Sequence, residues 1–335
     1  MTVRIPYHAA WAAAVLSTGA CGASPAAVKA TDTNSPLRLE RAIELPNVKG
    51  RIDHLALDLE RRHLFVAEHD NGSVDEIDLP SGRVVGRIAG LHEPQGVAYL
   101  PGTREIVVAS GDGSVQFYAA AGRRETARID LGDDADNIGI DERNGHVIVV
   151  YGSGALAVID PTAHRVLARL PLSGHPEGFR RIGARVFVNI PDKGAIVAAD
   201  LDRNRVIATW STGLRRHNFP MTVVPEESRI AIAFRLPATL QFLATDTGQV
   251  IATRPICGDA DDLFVAGGRV MVICGAGHVD IAPLANEHAA TVRVATAPGA
   301  RTGLFSAELD RLFVAVPARA HPAAIWVLAA RTPSK

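Results

Sequence analysis

Several features are scarce in this chain, and each scarcity narrows what it can be. Aromatic residues are 5% of 335 positions, so the apolar share of 47% rests on Ala, Val, Ile and Leu. Such a composition favours thin aliphatic contacts between pleated surfaces. The net charge is -1 and the pI is near 6.9, which leaves no basic field to draw phosphate backbones. Nucleic acid is not expected as a partner. There is no G-x-S-x-G, no G-x-G-x-x-G, no P-loop, no H-E-x-x-H and no C-x-x-C-H. Nucleophile-elbow hydrolysis, dinucleotide binding, phosphate-loop chemistry, zincin chemistry and haem attachment therefore have no motif here. No apolar run is long enough for a membrane span.

What the chain does have is a repeat. An anchor residue, a short strand, a turn and a second strand reading like His63–Glu68 recur, with the anchor at Asp53, Gln95, Asn137, Glu177, Phe219, Asp261 and Arg301, polar at all but Phe219. The intervals are 40 or 42 residues. Several short strands per unit at such a period predict a β-propeller, one four-stranded antiparallel blade per repeat. The reading is an all-β, seven-bladed β-propeller occupying residues 37–335 as one domain. In the first repeat, strands are expected at 54–58, 63–68, 73–78 and 83–89, separated by turns such as Asp70-Asn71-Gly72 and Pro80-Ser81-Gly82. The last repeat supplies three strands only, and residues 39–46 (LERAIELP) have the character of the missing fourth. Pairing of that N-terminal strand into the last blade would close the ring and remove an edge.

Residues 1–21 are of another kind: a basic start at Met1 to Arg4, a brief apolar run at 9–16, then Thr18-Gly19-Ala20-Cys21. They read as a secretory signal peptide. The ending resembles a bacterial lipoprotein processing site with Cys21 as the lipid-bearing residue, although Thr18 stands where such sites usually carry Leu. Ordinary cleavage nearby is the plainer alternative. Residues 22–36 read as a flexible tether. The expected location is the periplasm or cell envelope, with membrane attachment only through an N-terminal lipid anchor.

Strings such as Pro94-Gln95-Gly96-Val97-Ala98, followed by Ile106-Val107-Val108-Ala109 and by strands ending in Val158-Ile159-Asp160, resemble the YVTN or YncE-like family of secreted bacterial propellers. The resemblance spans about residues 37–330 and implies a fold rather than a reaction, because that family is functionally diverse.

In a propeller the innermost strand of every blade lines the channel, so residues just ahead of it gather at one rim. Those are Asp53 and His54, Gln95, Asp136 and Asn137, His175 and Glu177, His217 and Asn218, Asp261 and Asp262, and Arg301. The Asp-Ala-Asp string occurs at both 134–136 and 259–261, so like groups enter from different blades. Three readings stay open. Asp53, Asn137, Glu177 and Asp261 are an oxygen-rich set suited to a hard cation, with Ca²⁺ expected, against which Arg301 argues. Alternatively Arg301 and the histidines bind an anionic or hydroxyl-rich small molecule. Taken singly, each residue reads first as a turn or strand-start residue satisfying loop amides.

Cys257 precedes the first strand of repeat six and Cys274 ends its second strand, so the two meet at one edge of the blade and are expected to form a disulfide. The functional expectation is a monomeric, non-catalytic propeller that presents its rim to a small molecule, a metal or an envelope protein. A metal-assisted hydrolase of the lactonase type, with His54 or His175 as base, is the alternative. A redox-associated propeller subunit is the third.

Overall fold

The computed structural model describes residues 35–224, 228–286 and 289–330. The signal segment with Cys21, and all of the tether except Ser35 and Pro36, lie outside the described residues. Among the described residues regular helix is limited to two 3₁₀ turns, His69–Asn71 and Pro191–Lys193. Seven antiparallel sheets of four strands each form a β-propeller. In blade 1 the strands are Leu55–Asp58, His63–Glu68, Ser73–Asp78 and Arg83–Ala89, hydrogen-bonded in chain order. The innermost strands of blades 2 to 7 are Pro94–Leu100, Ala135–Asp141, Phe179–Ile182, Met221–Val224, Ala260–Ala266 and Gly303–Ser306.

Burial follows from position within a blade. The second strand, as at His63–Glu68, is covered on both faces by neighbouring blades, and all but its first residue are buried. A strand sandwiched in this way reads as a continuous apolar run, whereas the outermost strand, Arg83–Ala89, alternates and keeps Arg83 and Arg87 at the edge. Six blades carry a bulge where the third strand pairs with the fourth, at Glu76/Ile77, Phe117/Tyr118, Val158/Ile159, Ala198/Ala199, Phe242/Leu243 and, in the strand supplied by the N-terminal segment, Leu39/Arg41. Each bulge adds local twist and bends the outer strand, which makes the edge a poor template for another chain.

The core is a ring of seams. Each apolar cluster spans two adjacent blades, from the seam of blades 1 and 2 around Phe65, Val97 and Val108 onward. A seventh cluster joins Leu55, Leu64 and Val66 of blade 1 to Phe313, Ile325 and Val327 of blade 7, which completes the circle. The Thr302 hydroxyl donates to the Ile52 carbonyl at 3.1 Å across the same seam.

Blade 7 is assembled from both ends of the chain. Leu37–Glu44 pairs antiparallel with Ala324–Ala330, from Leu37 against Ala330 to Glu44 against Ala324. The strand runs two residues earlier at each end than the sequence pattern suggests; Leu37, at its start, is 1% exposed and packs into the seam of blades 6 and 7, while Ile43 and Leu45 pack into the seam of blades 7 and 1. In blade 6, Cys257 and Cys274 are joined by a disulfide across 5.9 Å between their Cα atoms.

Two outcomes follow. Deleting residues 35–46 removes Leu37, Ile43 and Leu45, each 1% exposed and each worth about 1.5–3 kcal/mol. Chemical denaturation of the truncated protein is therefore expected to show a loss on the order of 5 kcal/mol. Titration of thiols in the unfolded, unreduced protein is expected to find two fewer than after reduction, and replacing both cysteines of this 17-residue loop by Ser costs about 3 kcal/mol.

Candidate functional site

The innermost strands approach one another so closely that some positions admit only glycine. A Cβ on Gly96 would lie 2.1 Å from the Asp136 carbonyl oxygen, and one on Gly178 would lie 2.3 Å from that of Phe219. This proximity brings the residues at strand starts together. Bulges between Ala135 and Ile138 in blade 3 and between Ala260 and Asp262 in blade 6 re-aim the adjoining side chains, so that Asp136 and Asn137, and likewise Asp261 and Asp262, face the channel in pairs.

The mouth of the channel is lined by Asp53, His54, Asp136, Asn137, Glu177, Asp261 and Asp262 from the expected set, with Arg51, Arg180 and Phe219. Its cavity is about 40 Å³, room for an ion or a few water molecules. Guanidinium groups hold much of the negative charge. Arg51 pairs with Asp53 at 2.6 Å. Asp261 accepts from Arg235 and lies 3.1 Å from Arg301 Nε. Asp259 lies 3.1 Å from Arg235 Nε and 3.5 Å from Arg301. Of the oxygen set expected to hold Ca²⁺, Asp53 and Asp261 thus already face arginines.

Other expected residues lie elsewhere. Asn218 is fully buried and donates to the Asn189 side-chain oxygen at 3.1 Å and the Ala195 carbonyl at 3.0 Å, locking the seam of blades 4 and 5 instead of facing the channel. His217 is exposed and stacks on Phe219 with ring centroids 5.9 Å apart, while Arg235 lies 4.2 Å from the other partner of that stack, the Phe219 ring. Gln95 donates to Asp134 at 2.7 Å, outside the channel lining. Arg301 belongs to a second concavity at the same end.

Burial dominates the electrostatics. Asp136 is held well above the usual carboxylate range by desolvation, then by Glu177 and Asp53. Desolvation pushes Asp261 up to about 6, although Arg235 and Arg301 oppose it. Asp262 rises to about 7 for the same first reason, against the pull of His54 and of the Gly303 N–H that it accepts at 2.7 Å. His54 has Asp53 at 3.9 Å and Asp136 at 4.0 Å. Burial works to lower its pKa, but Asp53 with Asp262, Asp136 and Asp261 outweighs burial and raises it. His175 is raised to about 9 by its hydrogen bond with Glu177 first, in spite of desolvation. Arg180 is lowered by desolvation, only partly offset by Asp262.

The second concavity, about 440 Å³, opens beside the mouth and shares Arg51 with it. Its walls include Arg301, Arg319, Asp259, Gly275, Gly299 and Pro317. Three guanidinium groups against one carboxylate give this pocket a positive bias. Sequence reasoning missed Arg51, Arg180, Arg235 and Arg319. Arg51 sits two residues ahead of Asp53, just as Asp259 sits two ahead of Asp261, so the second position before the anchor was a readable signal; Arg235 and Arg319 are placed only by how neighbouring blades pack.

No protein family profile matches the sequence, and no curated protein matches it. Among solved structures that match is a chain of Kuenenia stuttgartiensis hydrazine synthase, 16% identical, with a TM-score of 0.70. The match covers 80% of this chain and 94% of that one. At this identity the likeness carries the propeller fold alone.

The shifted carboxyls give stability a pH dependence of defined sign. Asp262 has a folded pKa of about 7 against an ordinary 3.8, so its contribution is fully present below about pH 3.8 and is lost as pH rises through 7. Asp262→Asn keeps an acceptor for the Gly303 N–H and removes the titration. The melting temperature of this variant is expected to fall less steeply between pH 4 and pH 7 than that of the unsubstituted protein, by one proton's worth of linkage.

Proposed function

We propose that this protein is a non-catalytic propeller of the YVTN or YncE-like kind, acting in the periplasm or cell envelope, that captures a small anionic molecule at the rim of its channel. The observation that carries this reading is the 440 Å³ concavity with Arg51, Arg301 and Arg319 on its walls. Its volume lies within the range of about 300–1,000 Å³ usual for small-molecule sites, which the channel mouth itself does not reach. Arg51 and Arg301 are held in place by Asp53 and Asp261, so two of the three cations are already oriented before a ligand arrives. Preorganised guanidinium forks suit a carboxylate or phosphate. The N-terminal segment of signal type and a disulfide in blade 6 support a secreted location, since such bonds persist in oxidising compartments.

The metal-assisted hydrolase retains one supporting observation, the clustering of shifted groups. Asp261, Asp262 and His54 depart from their ordinary pKa values at a single mouth, as general acids and bases do. Likeness to hydrazine synthase adds nothing to a redox role.

Calorimetric titration with a panel of small carboxylates and phosphates tests the main reading, alongside a lactone and ester panel. Saturable binding of at least one anion without turnover is expected. Arg319 is exposed and has no ion pair among the described residues, so Arg319→Ala leaves the fold intact. Losing one charged hydrogen bond, about 1.5–3 kcal/mol, weakens binding roughly tenfold to hundredfold. Absence of binding across the panel, or turnover of a lactone lost in Asp262→Asn, overturns the proposal.

A further inference from the structure

At the opposite side of the mouth from the arginine pocket, Asp136, His175 and Glu177 turn one ligand atom each toward a common point, all within 4.8 Å of one another. We propose that these three side chains form a binding site for a first-row divalent cation of the Zn²⁺ or Mn²⁺ class. The site shares no residue with the arginine pocket and stands independently of the anion-binding reading.

The imidazole is the first support. His175 Nδ1 lies 2.8 Å from the Gly152 carbonyl oxygen, and only a ring N–H can satisfy that contact. The bond assigns the proton to Nδ1 and directs Nε2 to the carboxylates, 3.6 Å from Glu177 and 3.9 Å from Asp134. A ligating histidine oriented in this way, through a bond from its other nitrogen to a backbone carbonyl, is the usual outer arrangement of a metal site. Gly152 lies just past the second strand of blade 3 and His175 just before the first strand of blade 4, so the ring is held by the seam between the blades.

Asp136 is the second and separate support. Its residue is 5% exposed, and it lines the cavity. Its polar contacts among the described residues are the Asn137 amide at 3.5 Å and His54 at 4.0 Å, both weak. Asp53, Asp261 and Asp262 have stronger partners, Arg51 for Asp53, two arginines for Asp261 and the Gly303 N–H for Asp262, whereas Glu177 has only the His175 imidazole at 3.6 Å among the described residues. A carboxylate this deep and this poorly matched is costly in its charged form unless a cation joins it, and otherwise it takes up a proton that a metal ion would displace.

The dimensions agree. A first-row ion binds nitrogen and oxygen at about 2.0–2.2 Å, which puts three ligands about 3–4 Å from one another; His175 and Glu177, 3.6 Å apart, already meet this, and the other pairs, within 4.8 Å, close by about an ångström or less. The cavity of about 40 Å³ admits an ion and a water molecule but no organic ligand of ordinary size. One imidazole with two carboxylates favours Zn²⁺ or Mn²⁺ over Ca²⁺, which prefers six to eight oxygens. Three protein ligands also leave a coordination position open toward the mouth.

Equilibrium dialysis of the full-length protein against Zn²⁺ and Mn²⁺, with Ca²⁺ as comparator, is the test. One equivalent of Zn²⁺ or Mn²⁺ is expected, with affinity reduced at least tenfold in His175→Ala and in Glu177→Gln, and unchanged in Arg319→Ala. Pulsed electron paramagnetic resonance of the Mn²⁺-loaded unsubstituted protein is expected to show coupling to one imidazole nitrogen, a readout that does not depend on any variant folding. No stoichiometric binding, a preference for Ca²⁺, retention of full affinity in His175→Ala, or a Mn²⁺ spectrum without nitrogen coupling would each overturn the proposal.

Discussion

Everything that brings distant residues together depends on the seam between blades 7 and 1. A β-sheet has a face to cover and an edge to protect, and a ring of blades covers its faces only if the last meets the first. Here the junction is aliphatic: Leu55, Leu64, Val66 and Ile77 from one side meet Phe313, Ile325 and Val327 from the other. The strand Leu37–Glu44 reinforces it by sealing blade 7 with a segment far from the rest of that blade in sequence. Without this closure Arg51 and Arg301 would not share a pocket.

The closed ring then imposes an electrostatic problem, since it buries acidic residues contributed by several blades around one narrow channel. The protein answers it in two ways. On the side of blades 6, 7 and 1, arginines stand beside the acids, with Arg51, Arg235 and Arg301 against Asp53, Asp259 and Asp261. On the side of blades 3 and 4 no arginine among the described residues is paired with Asp136 or Glu177; the nearest basic groups are imidazoles, His54 at 4.0 Å from Asp136 and His175 at 3.6 Å from Glu177. Opposite ends of one mouth therefore suit opposite kinds of ligand. An excess of guanidinium lines the wide pocket, and an excess of carboxylate lines the narrow cavity.

Much of the architecture was legible because its causes are local. Turn residues recur at fixed offsets, and the strands 63–68, 73–78, 83–89, 146–151 and 155–160 are observed where the pattern placed them. The rim was legible in outline for a related reason: a residue ahead of an innermost strand must lie near the axis. Finer roles were not. Asn218 stands one residue ahead of its anchor, as Asp136 does, yet it points into a seam, where Asn189 and the Ala195 carbonyl take up its amide.

Periodicity and turn chemistry in the chain by itself determined the seven blades, the closing strand and the set of candidate rim residues, since these follow from spacing alone. Only the tertiary structure decided which carboxylates are neutralised and which are left exposed to a cation. That choice depends on Arg235, which closes a second strand, and on His175, oriented by a carbonyl 23 residues away. Distances across a channel are set by how blades pack, and no interval along the chain encodes them.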